Sequence, residues 1–468
     1  MRPFLLVHVN GVAHRIGGAH AFQTLSRYLR YEQRATGTKI VCEEGDCGAC
    51  TVLIGRAEGD TLRYRPVNSC IQFLFQLDGA HIVTVEGLTS GGALTPLQDA
   101  MVRCHGAQCG YCTPGFVMAM AGMFECTNKP AKDDVKAALT GNLCRCTGYE
   151  SITKAALEVE QQPRIEQLYP SEPILRAIDA VKREPVRIDN FYKPVDLESA
   201  IAFKRDHPNT VIVQGATDFG VWRTKRGFTP EAVLSLEGID GLADVRIDGE
   251  ALLVGGRVTL AQFESSVREL VPSLAEIMDR FGSPQIKNAG TLAGNIANAS
   301  PIADSLPFLY VMHATLELTG SDGIRVVPIR DFYLGYKKLD LRADEIITRI
   351  RIPLPKDGDT LRLYKVSKRS HLDISTFTAA MLMRRNDGKI DSMRIAYGGV
   401  GPVVLRLGKT EEFLAGRAYS RETFAEAGEI ARGEIAPISD VRGAKEFRLQ
   451  LAENVLCRFY EETQAGAR

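Results

Sequence analysis

The alternation of apolar and polar residues predicts a strand-rich start to the chain. An apolar run over residues 4–9 ends at Asn10 and Gly11, and Asn-Gly between two apolar runs is a strong signal for a β-hairpin. Apolar side chains between residues 22 and 29 recur at helical spacing, whereas residues 51–54 are rich in strand formers. We therefore expect a small β domain with a short helical segment.

From Pro96 onward the apolar pattern becomes helical. Residues 116–124 are apolar throughout and rich in methionine, which predicts a buried helix with adaptable packing. Pro114 suits the first turn of that helix. Four prolines then fall among charged residues between positions 161 and 189, so we expect an extended linker there.

The remainder of the chain mixes helix and strand signals. Asp196 stands where a helix is expected to begin, and residues 210–214 have the composition of a strand. Residues 390–397 alternate like a strand, while 424–430 and 447–456 are helical. The pattern along the whole chain predicts an α+β multidomain protein.

Length and charge narrow the class of protein. At roughly 150 residues per domain, a chain of 468 residues corresponds to about three domains. The 57 basic and 57 acidic side chains cancel, which removes the electrostatic reason to expect nucleic acid or an anionic membrane as a partner. No apolar run approaches the roughly 18 residues that span a bilayer, and residues 1–7 are too short for a signal peptide. We expect a cytoplasmic protein.

The cysteines do not fit this average picture. Ten of the eleven lie between Cys42 and Cys146, and Cys457 stands alone near the other end. Disulfides are a poor explanation, because the cytosol keeps thiols reduced. The first third of the chain is therefore predicted to bind metal. Cys104 and Cys126 are expected to be buried small hydrophobes on helices, and no role is expected for them or for Cys457.

A first set of four cysteines has the spacing C-x4-C-x2-C followed by a distant cysteine, as in plant-type ferredoxins with a [2Fe–2S] cluster. Gly45 and Gly48 allow the backbone to wrap closely around such a cluster. The alternatives are a zinc site or structural cysteines, but zinc sites usually have paired C-x2-C knuckles. The four cysteines are Cys42, Cys47, Cys50 and Cys70.

A second set lies in the helical region. One pair just precedes the helix that Pro114 begins, where partial positive charge favours thiolates. The other pair has the spacing C-x-C, which is too tight for a zinc knuckle. These four sulfur ligands are Cys109, Cys112, Cys144 and Cys146.

Two later segments are candidates for nucleotide binding. The loop 214–220 follows a strand and can wrap a pyrophosphate, but it lacks the G-x-G-x-x-G pattern and so argues against a Rossmann site. The segment 290–304 is dense in small residues, hydroxyls and amides that expose N–H donors to a polyanion. Asp304 can accept a hydrogen bond from ribose or adenine. The alternative is an ordinary loop rich in glycine and asparagine.

The two cysteine sets, with their connecting residues 106–108, 113–115 and 141–149, resemble the iron–sulfur module of the molybdenum hydroxylases. That family includes xanthine dehydrogenases and aldehyde oxidoreductases. The segments 214–220 and 290–304 resemble its flavin domain. One departure is Val41, which stands where the family usually has glycine.

The resemblance implies four domains and a linker. The fold expected for residues 1–88 is a ferredoxin-like β-grasp domain, and for 89–160 a four-helix iron–sulfur domain. A linker over 161–189 leads to an α+β FAD-binding domain of the vanillyl-alcohol-oxidase/PCMH type at 190–355. An α+β C-terminal domain is expected at 356–468.

The resemblance also implies the residues that hold the cofactors. Both cysteine sets become ligands of [2Fe–2S] clusters, and no residue of this chain is expected to be catalytic. The residues expected at FAD are Val213, Gln214, Gly215, Ala216, Thr217, Asp218, Phe219, Gly220, Phe281, Gly290, Thr291, Leu292, Ala293, Gly294, Asn295, Ser300, Asp304, Ile347 and Lys365.

The implied function is electron transfer within a larger enzyme. Iron–sulfur and FAD domains on one chain, with no length left for molybdenum domains, favour the xanthine dehydrogenases within the family. Electrons would pass from a molybdenum cofactor in a large partner subunit through both clusters to FAD and NAD⁺, as hypoxanthine and xanthine are hydroxylated to urate. The implied assembly is a heterotetramer of two heterodimers.

Two alternatives stay open. One is the same role in a molybdenum hydroxylase with an N-heterocycle or aldehyde substrate, or with another electron acceptor such as oxygen. The other is a stand-alone iron–sulfur flavoprotein carrier or a zinc-binding scaffold.

Overall fold

The contacts within the chain group it into two compact units. The structure, a computed structural model, describes residues 1–89 and 92–464. Unit 1 comprises Met1–Asp240 and Ser283–Gly290, and unit 2 comprises Gly241–Gly282 and Thr291–Arg468. Residues 90–91 of the predicted helical domain and 465–468 of the predicted C-terminal domain lie outside the described residues. Among the helices of the described residues, none has the length and apolar character needed to cross a membrane.

Unit 1 begins with the predicted β-grasp sheet. Asn10 and Gly11 both have positive φ, so the first two strands form the expected tight hairpin. The first strand also pairs in parallel with Ala80–Val83. The predicted helical segment consists of the short α-helix Leu25–Arg27, which continues directly into the π-helical turn Tyr28–Glu32. In spatial order the strands are Val12–Ile16, Leu5–Val9, Ala80–Val83, Thr51–Glu58 and Thr61–Asn68, with 3₁₀ turns at Gly18–Phe22, Leu74–Gln76 and Val85–Leu88.

The predicted four-helix domain follows. Thr95 begins its first helix through a capping box with Gln98, since each side chain accepts a hydrogen bond from the backbone of the other. Residues 116–124 are buried on every side, as their apolar composition predicted, and pack against the strand Thr51–Glu58. The four helices are Pro96–Arg103, Thr113–Phe124, Lys132–Leu139 and Glu150–Glu158.

The prediction of an extended linker over residues 161–189 is wrong. This stretch contains the helices Ile165–Leu168 and Ser171–Asp179. Ile174 and Ile178 lie four residues apart and are buried in the same apolar cluster as the four helices. Its prolines are compatible with helix because Pro170 and Pro173 stand at the start of the second helix, where backbone N–H groups have no intrahelical partner.

The rest of unit 1 contains a small second sheet and three helices. The Asp196 carboxylate accepts a 2.7 Å hydrogen bond from the Ser199 amide and begins a helix where the sequence predicted one. In spatial order the strands are Val186–Ile188, Phe191–Lys193, Ala232–Leu234 and Thr210–Ile212. The helices are Leu197–Asp206, Phe219–Arg226 and Pro284–Lys287.

Unit 2 contains two antiparallel sheets and a two-stranded hairpin, Tyr333–Gly335 with Lys338–Leu339. The first sheet has the order Val245–Asp248, Ala251–Gly255, Ile346–Pro353, Thr315–Gly320 and Gly323–Pro328. The second has the order Asp359–Val366, Phe377–Asn386, Lys389–Gly398 and Leu405–Arg406. The helices are Leu260–Val267, Pro272–Arg280, Leu292–Ala297, Leu306–Val311, Gly408–Leu414, Arg421–Glu434 and Lys445–Gln464, with a 3₁₀ turn at Ile329–Asp331.

A buried carboxylate ties three segments of unit 1 together. Asp78 accepts hydrogen bonds from Arg2 at 2.9 and 3.1 Å and from Lys193 at 2.6 Å, and all three side chains are almost fully buried. Burial alone would raise the pKa of Asp78, but Lys193 and Arg2 hold it below its ordinary value. The two cations therefore stabilise the fold at neutral pH, and this contribution is lost as the pH falls through the lowered pKa.

We expect Asp78→Asn to destabilise the chain by about 3–5 kcal/mol, because it leaves two buried cations without a counter-charge. The urea midpoint of the full chain, followed by circular dichroism, measures this loss. Glu184→Gln is the matched control, since Glu184 also approaches Arg2, at 4.0 Å, but is half exposed and should cost about 0–1 kcal/mol. Equal midpoints for the two variants would contradict the role of the buried carboxylate.

Candidate functional site

The loop of the first cysteine set is shaped by backbone that favours glycine. Gly45 and Gly48 have φ values of +79° and +67°, and Glu43 also has positive φ. Val41 is outside the left-handed region, so this position does not require glycine. A Cβ atom at Gly48 would overlap the carbonyl oxygen of Gly141. The loop thus depends on the absence of a side chain at Gly48.

The structure brings the four cysteines of the first set together. Cys50 and Cys70 are buried, and Cys42 and Cys47 are half buried. Hydrogen bonds with Cys47 and Cys70 lower the pKa of Cys42 far below that of an ordinary thiol. The contact with Cys42 raises the pKa of Cys47, and contacts with Cys42 and Cys50 raise that of Cys70. The four sulfurs therefore form one continuous series of contacts.

Backbone N–H groups also point at these sulfurs. Those of Glu44 and Cys47 donate to Cys42, and that of Ala49 donates to Cys47. Such donors stabilise negative charge on thiolates and on the sulfides of a cluster. Val221 and Ile286 pack against Cys50, Cys70 and Ile71, so the two buried sulfurs also have apolar neighbours.

The second cysteine set forms two pairs. The sulfurs of Cys109 and Cys146 are 3.7 Å apart, and Cys112 is hydrogen-bonded to Cys144. Burial raises the pKa of Cys112 to about 12, and the contact with Cys144 adds to this. Burial would also raise the pKa of Cys144, but hydrogen bonds from the Thr147 hydroxyl, at 3.2 Å, and its backbone lower it. Cys112 begins the helix Thr113–Phe124, as predicted from Pro114.

Each cysteine set supplies the number of thiols that a [2Fe–2S] cluster requires. Such a cluster is held by four thiolates spread over two irons. Two sulfur pairs in the second set, and a row of four sulfurs in the first, fit that requirement. The assignment of these eight cysteines as ligands stays a prediction.

The two sets are joined directly within unit 1. The backbone N–H of Leu143, next to Cys144, donates a 3.0 Å hydrogen bond to the carbonyl of Cys47. The Asn142 side chain donates to the carbonyl of Gly48, also at 3.0 Å. Gly115 lies so close to Gly48 that a Cβ atom there would overlap the same carbonyl oxygen. The two cysteine loops are therefore in backbone contact.

The first predicted FAD segment, residues 213–220, lies in unit 1. The side-chain amides of Gln76 and Gln72 donate to the carbonyls of Gln214 and Gly215, both at 2.9 Å. These two hydrogen bonds attach the loop to the segment that follows Cys70. The Val213 amide donates a hydrogen bond to the Leu234 carbonyl, and Ala216 has positive φ. Thr217 is half buried, and Phe219 and Gly220 are buried. Asp218 directly precedes the helix Phe219–Arg226.

The second predicted FAD segment begins at the end of unit 1 and continues in unit 2. The Thr291 hydroxyl accepts a 3.0 Å hydrogen bond from the Gly294 amide and begins the helix Leu292–Ala297. Asn295 accepts from Ser305 at 2.6 Å, and the Ser300 hydroxyl accepts from the Ile302 amide. Gly290, Leu292 and Ala293 are buried and Gly294 is exposed. This backbone is ordered by its own hydroxyls and amides.

A buried ion pair closes this segment within unit 2. Lys365 lies 2.5 Å from Asp304, and both side chains are almost fully buried. The Ser375 hydroxyl donates to Asp304 at 2.6 Å and accepts from Lys365 at 2.8 Å, and Lys365 also donates to the Asp373 carbonyl. Asp304 and Lys365 were predicted independently as FAD-site residues, and the structure brings their side chains into contact. Two further predicted residues lie elsewhere in unit 2: Phe281 is half buried against its main core and Ile347 is buried.

Three models of protein families match this chain. Residues 84–157 match a [2Fe–2S] binding domain, 185–355 match the FAD binding domain in molybdopterin dehydrogenase, and 362–463 match the CO dehydrogenase flavoprotein C-terminal domain. The chain carries the [2Fe–2S] and FAD domains of a molybdenum hydroxylase.

Known proteins similar to this molybdenum hydroxylase chain act on different substrates. It is 27% identical to xanthine dehydrogenase 1 of Arabidopsis thaliana over 97% of its own length and 39% of the relative. It is 28% identical to aldehyde oxidase 1 of Rattus norvegicus over 99% and 40%. The chain thus spans about two fifths of the length of these curated relatives.

Solved structures share its fold. CO dehydrogenase from Oligotropha carboxidovorans matches with a TM-score of 0.55 and 28% identity, covering 57% of this chain and 95% of that one. Quinoline 2-oxidoreductase from Pseudomonas putida 86 matches with a TM-score of 0.56 and 26% identity, covering 60% and 98%. These neighbours support the multidomain α+β fold of a molybdenum hydroxylase.

Several residues of the site were not found from the sequence. Gln72 and Gln76 hold the first predicted FAD segment, and Ser375 bridges the buried ion pair. Asn142 holds the two cysteine loops together. Glutamines within an apolar run and a single serine after a loop carry no motif, so no pattern in one sequence would have indicated them.

We expect Lys365→Met to weaken FAD binding at least tenfold, which corresponds to about 1.4 kcal/mol. The change leaves the Asp304 carboxylate buried without its cation and disturbs the segment it belongs to. Release of FAD from the full chain, followed by flavin fluorescence, measures the affinity. Asp359→Asn is the matched control. Asp359 lies on the same strand as Lys365, and the change removes its ion pair with Arg384 on the neighbouring strand. An equal loss of FAD in both variants would argue against a specific role for Lys365.

Proposed function

We propose that this chain is the electron-transfer part of a xanthine dehydrogenase. Electrons released at a molybdenum centre elsewhere in the enzyme would reach NAD⁺ by way of two [2Fe–2S] clusters and FAD. The accompanying reaction is the hydroxylation of hypoxanthine to xanthine and of xanthine to urate. When bound, the clusters supply one-electron carriers and FAD supplies a site that collects two electrons.

The contacts in unit 1 are the observation that carries this proposal. The second cysteine set meets the first through the hydrogen bond between Leu143 and Cys47. The first set meets the first FAD segment through the residues after Cys70, because Gln72 donates to the Gly215 carbonyl. This order of contacts is the one that electron transfer through the three predicted cofactor sites would require.

The side chains of this chain would hold and insulate the cofactors rather than react with substrate. Val221 and Ile286 exclude water from the buried sulfurs of the first set. The ion pair of Lys365 and Asp304 orders the second FAD segment. The second cysteine set is open, since Cys109, Cys146 and the nearby Tyr111 and Leu143 are exposed. An exposed cluster edge with apolar neighbours suits contact with the part of the enzyme that supplies electrons.

The wider assembly is part of the same proposal. We infer a partner subunit with a molybdenum cofactor, in a heterotetramer of two heterodimers, because one solved neighbour is a chain of a Cu,Mo-CO dehydrogenase, 95% of which matches 57% of this chain. A cytoplasmic location agrees with cysteines that must stay reduced to receive iron.

A second candidate is the same electron-transfer role for another substrate. Aldehyde oxidases are as similar to this chain as xanthine dehydrogenases are, at 28% against 27% identity. The substrate is then an aldehyde or an N-heterocycle, and oxygen or another acceptor can replace NAD⁺. Assays of the complete enzyme with xanthine, an aldehyde and quinoline, each with NAD⁺ and with oxygen, separate the two.

We expect the purified full chain to contain about four irons and one FAD, in line with two [2Fe–2S] clusters and one flavin. NADH added without oxygen should bleach the flavin and then reduce the clusters. Iron, zinc and flavin analysis together with the visible spectrum measures this. Zinc without iron would rule out electron transfer, whereas a flavin that NADH leaves oxidised would assign another acceptor.

In the complete enzyme, Cys146→Ser should block reduction of the flavin by xanthine, because it removes a predicted ligand of the second cluster. Reduction of the flavin by NADH should remain, since that reaction does not need the second cluster. Cys126→Ser is the matched control, because Cys126 has no predicted role and follows the helix Thr113–Phe124. Cys126 is exposed, so the prediction that it is buried was wrong. Stopped-flow absorbance measures both directions. Normal reduction by xanthine in Cys146→Ser would contradict the proposed electron path.

A further inference from the structure

One helix of unit 1 connects the first FAD segment with the first cysteine set. The helix Phe219–Arg226, here called the bridging helix, begins directly after Asp218 of the FAD segment. A Cβ atom at Gly220 would lie 2.6 Å from the Cβ of Ile71, the residue after Cys70. The start of the bridging helix is thus packed closely against the segment that carries a predicted cluster ligand.

The last turn of the bridging helix reaches the other side of the same cysteine set. The Thr224 hydroxyl donates a 2.6 Å hydrogen bond to the Glu43 carbonyl. The Lys225 ammonium donates to the carbonyl of Cys42 itself and lies 3.6 Å from the Glu44 carboxylate. A full positive charge is therefore held against the backbone of a predicted ligand.

The first cysteine loop is rich in negative charge, and Lys225 is a cation in contact with it. The loop carries three acidic residues between its first two cysteines, and these are Glu43, Glu44 and Asp46. Arg27 pairs with the Glu43 side chain at 3.1 Å, so its charge is largely offset there. Lys225 contacts both Glu44 and the Cys42 carbonyl, and so acts on the ligand as well as on a carboxylate.

We propose that Lys225 sets the reduction potential of the first cluster, an inference that rests on the proposed electron-transfer function. Addition of one electron makes the site of four thiolates more negative by one charge. A nearby cation stabilises that charge and so raises the potential. Because Lys225 is partly exposed, water and salt reduce its effect without removing it.

Lys225→Gln tests the charge while keeping a hydrogen-bond donor for the Cys42 carbonyl. At a fixed solution potential, we expect the ratio of reduced to oxidised first cluster to fall by up to about tenfold. This corresponds to a reduction potential lower by up to about 59 mV for a one-electron couple. Redox titration of the full chain, followed by electron paramagnetic resonance, reports each cluster separately. The signal that Cys70→Ser removes belongs to the first cluster.

Two further variants complete the experiment. Lys225→Arg keeps the charge and should leave the potential close to that of the natural chain. Arg226→Gln removes a positive charge from the next position of the same helix and should have little effect on either cluster. The potentials of the second cluster and of FAD should be unchanged in all three variants.

An unchanged first-cluster potential in Lys225→Gln would overturn the inference, as would equal shifts in Lys225→Gln and Arg226→Gln. Loss of the first cluster from Lys225→Gln alone would support a charge effect at this loop, whereas its loss from Lys225→Arg as well would overturn it. Iron content separates this inference from the proposed function. A natural chain that binds no iron refutes electron transfer altogether, while a loaded chain with an insensitive potential refutes only the role of Lys225.

Discussion

The close backbone approach at Gly48 is the constraint on which the electron-transfer part of the molecule depends. Gly48 needs positive φ and has no room for a Cβ atom, because the carbonyl of Gly141 occupies that position. The carbonyl of Gly48 in turn lies against Gly115 and accepts a hydrogen bond from Asn142. Glycine at this position therefore shapes the first cysteine loop and also brings the second set into contact with it. Rapid electron transfer requires such short separations, so one steric condition serves both the fold and the proposed function.

Buried charge has two different roles in this chain. Around Asp78, two cations and one carboxylate join segments of unit 1 that are distant in sequence. In unit 2, the pair of Asp304 and Lys365 lies among the residues predicted to hold FAD, and Ser375 completes its hydrogen bonds. A buried ion pair contributes little net stability when both partners are present, but removing one partner is costly. Such pairs consequently hold a particular geometry, which a flavin site needs.

The fold was largely predictable from local patterns. The Asn10-Gly11 hairpin, the cap at Asp196 and the buried helix over residues 116–124 follow from turn chemistry, capping and apolar composition that act over a few residues. The extended conformation expected for residues 161–189 was wrong, because proline among charged residues does not by itself keep a chain extended. Two of the four prolines in this stretch, Pro170 and Pro173, stand at the start of a helix, and the isoleucines beyond them bury one face against the four-helix domain. Position within an element, more than residue type, decided the outcome there.

The sequence by itself determined which residues are predicted to carry the chemistry. Ligand spacing in the two cysteine sets and the dense polar segment 290–304 are properties of short stretches, and they are legible without a structure. Only the tertiary structure decided how these stretches meet. Three kinds of contact join residues far apart along the chain. They are the hydrogen bond from Leu143 to Cys47, those from Gln72 and Gln76 to the first predicted FAD segment, and that from Lys225 to Cys42. Contacts of this kind depend on how packed elements are oriented, and a linear pattern does not encode that orientation.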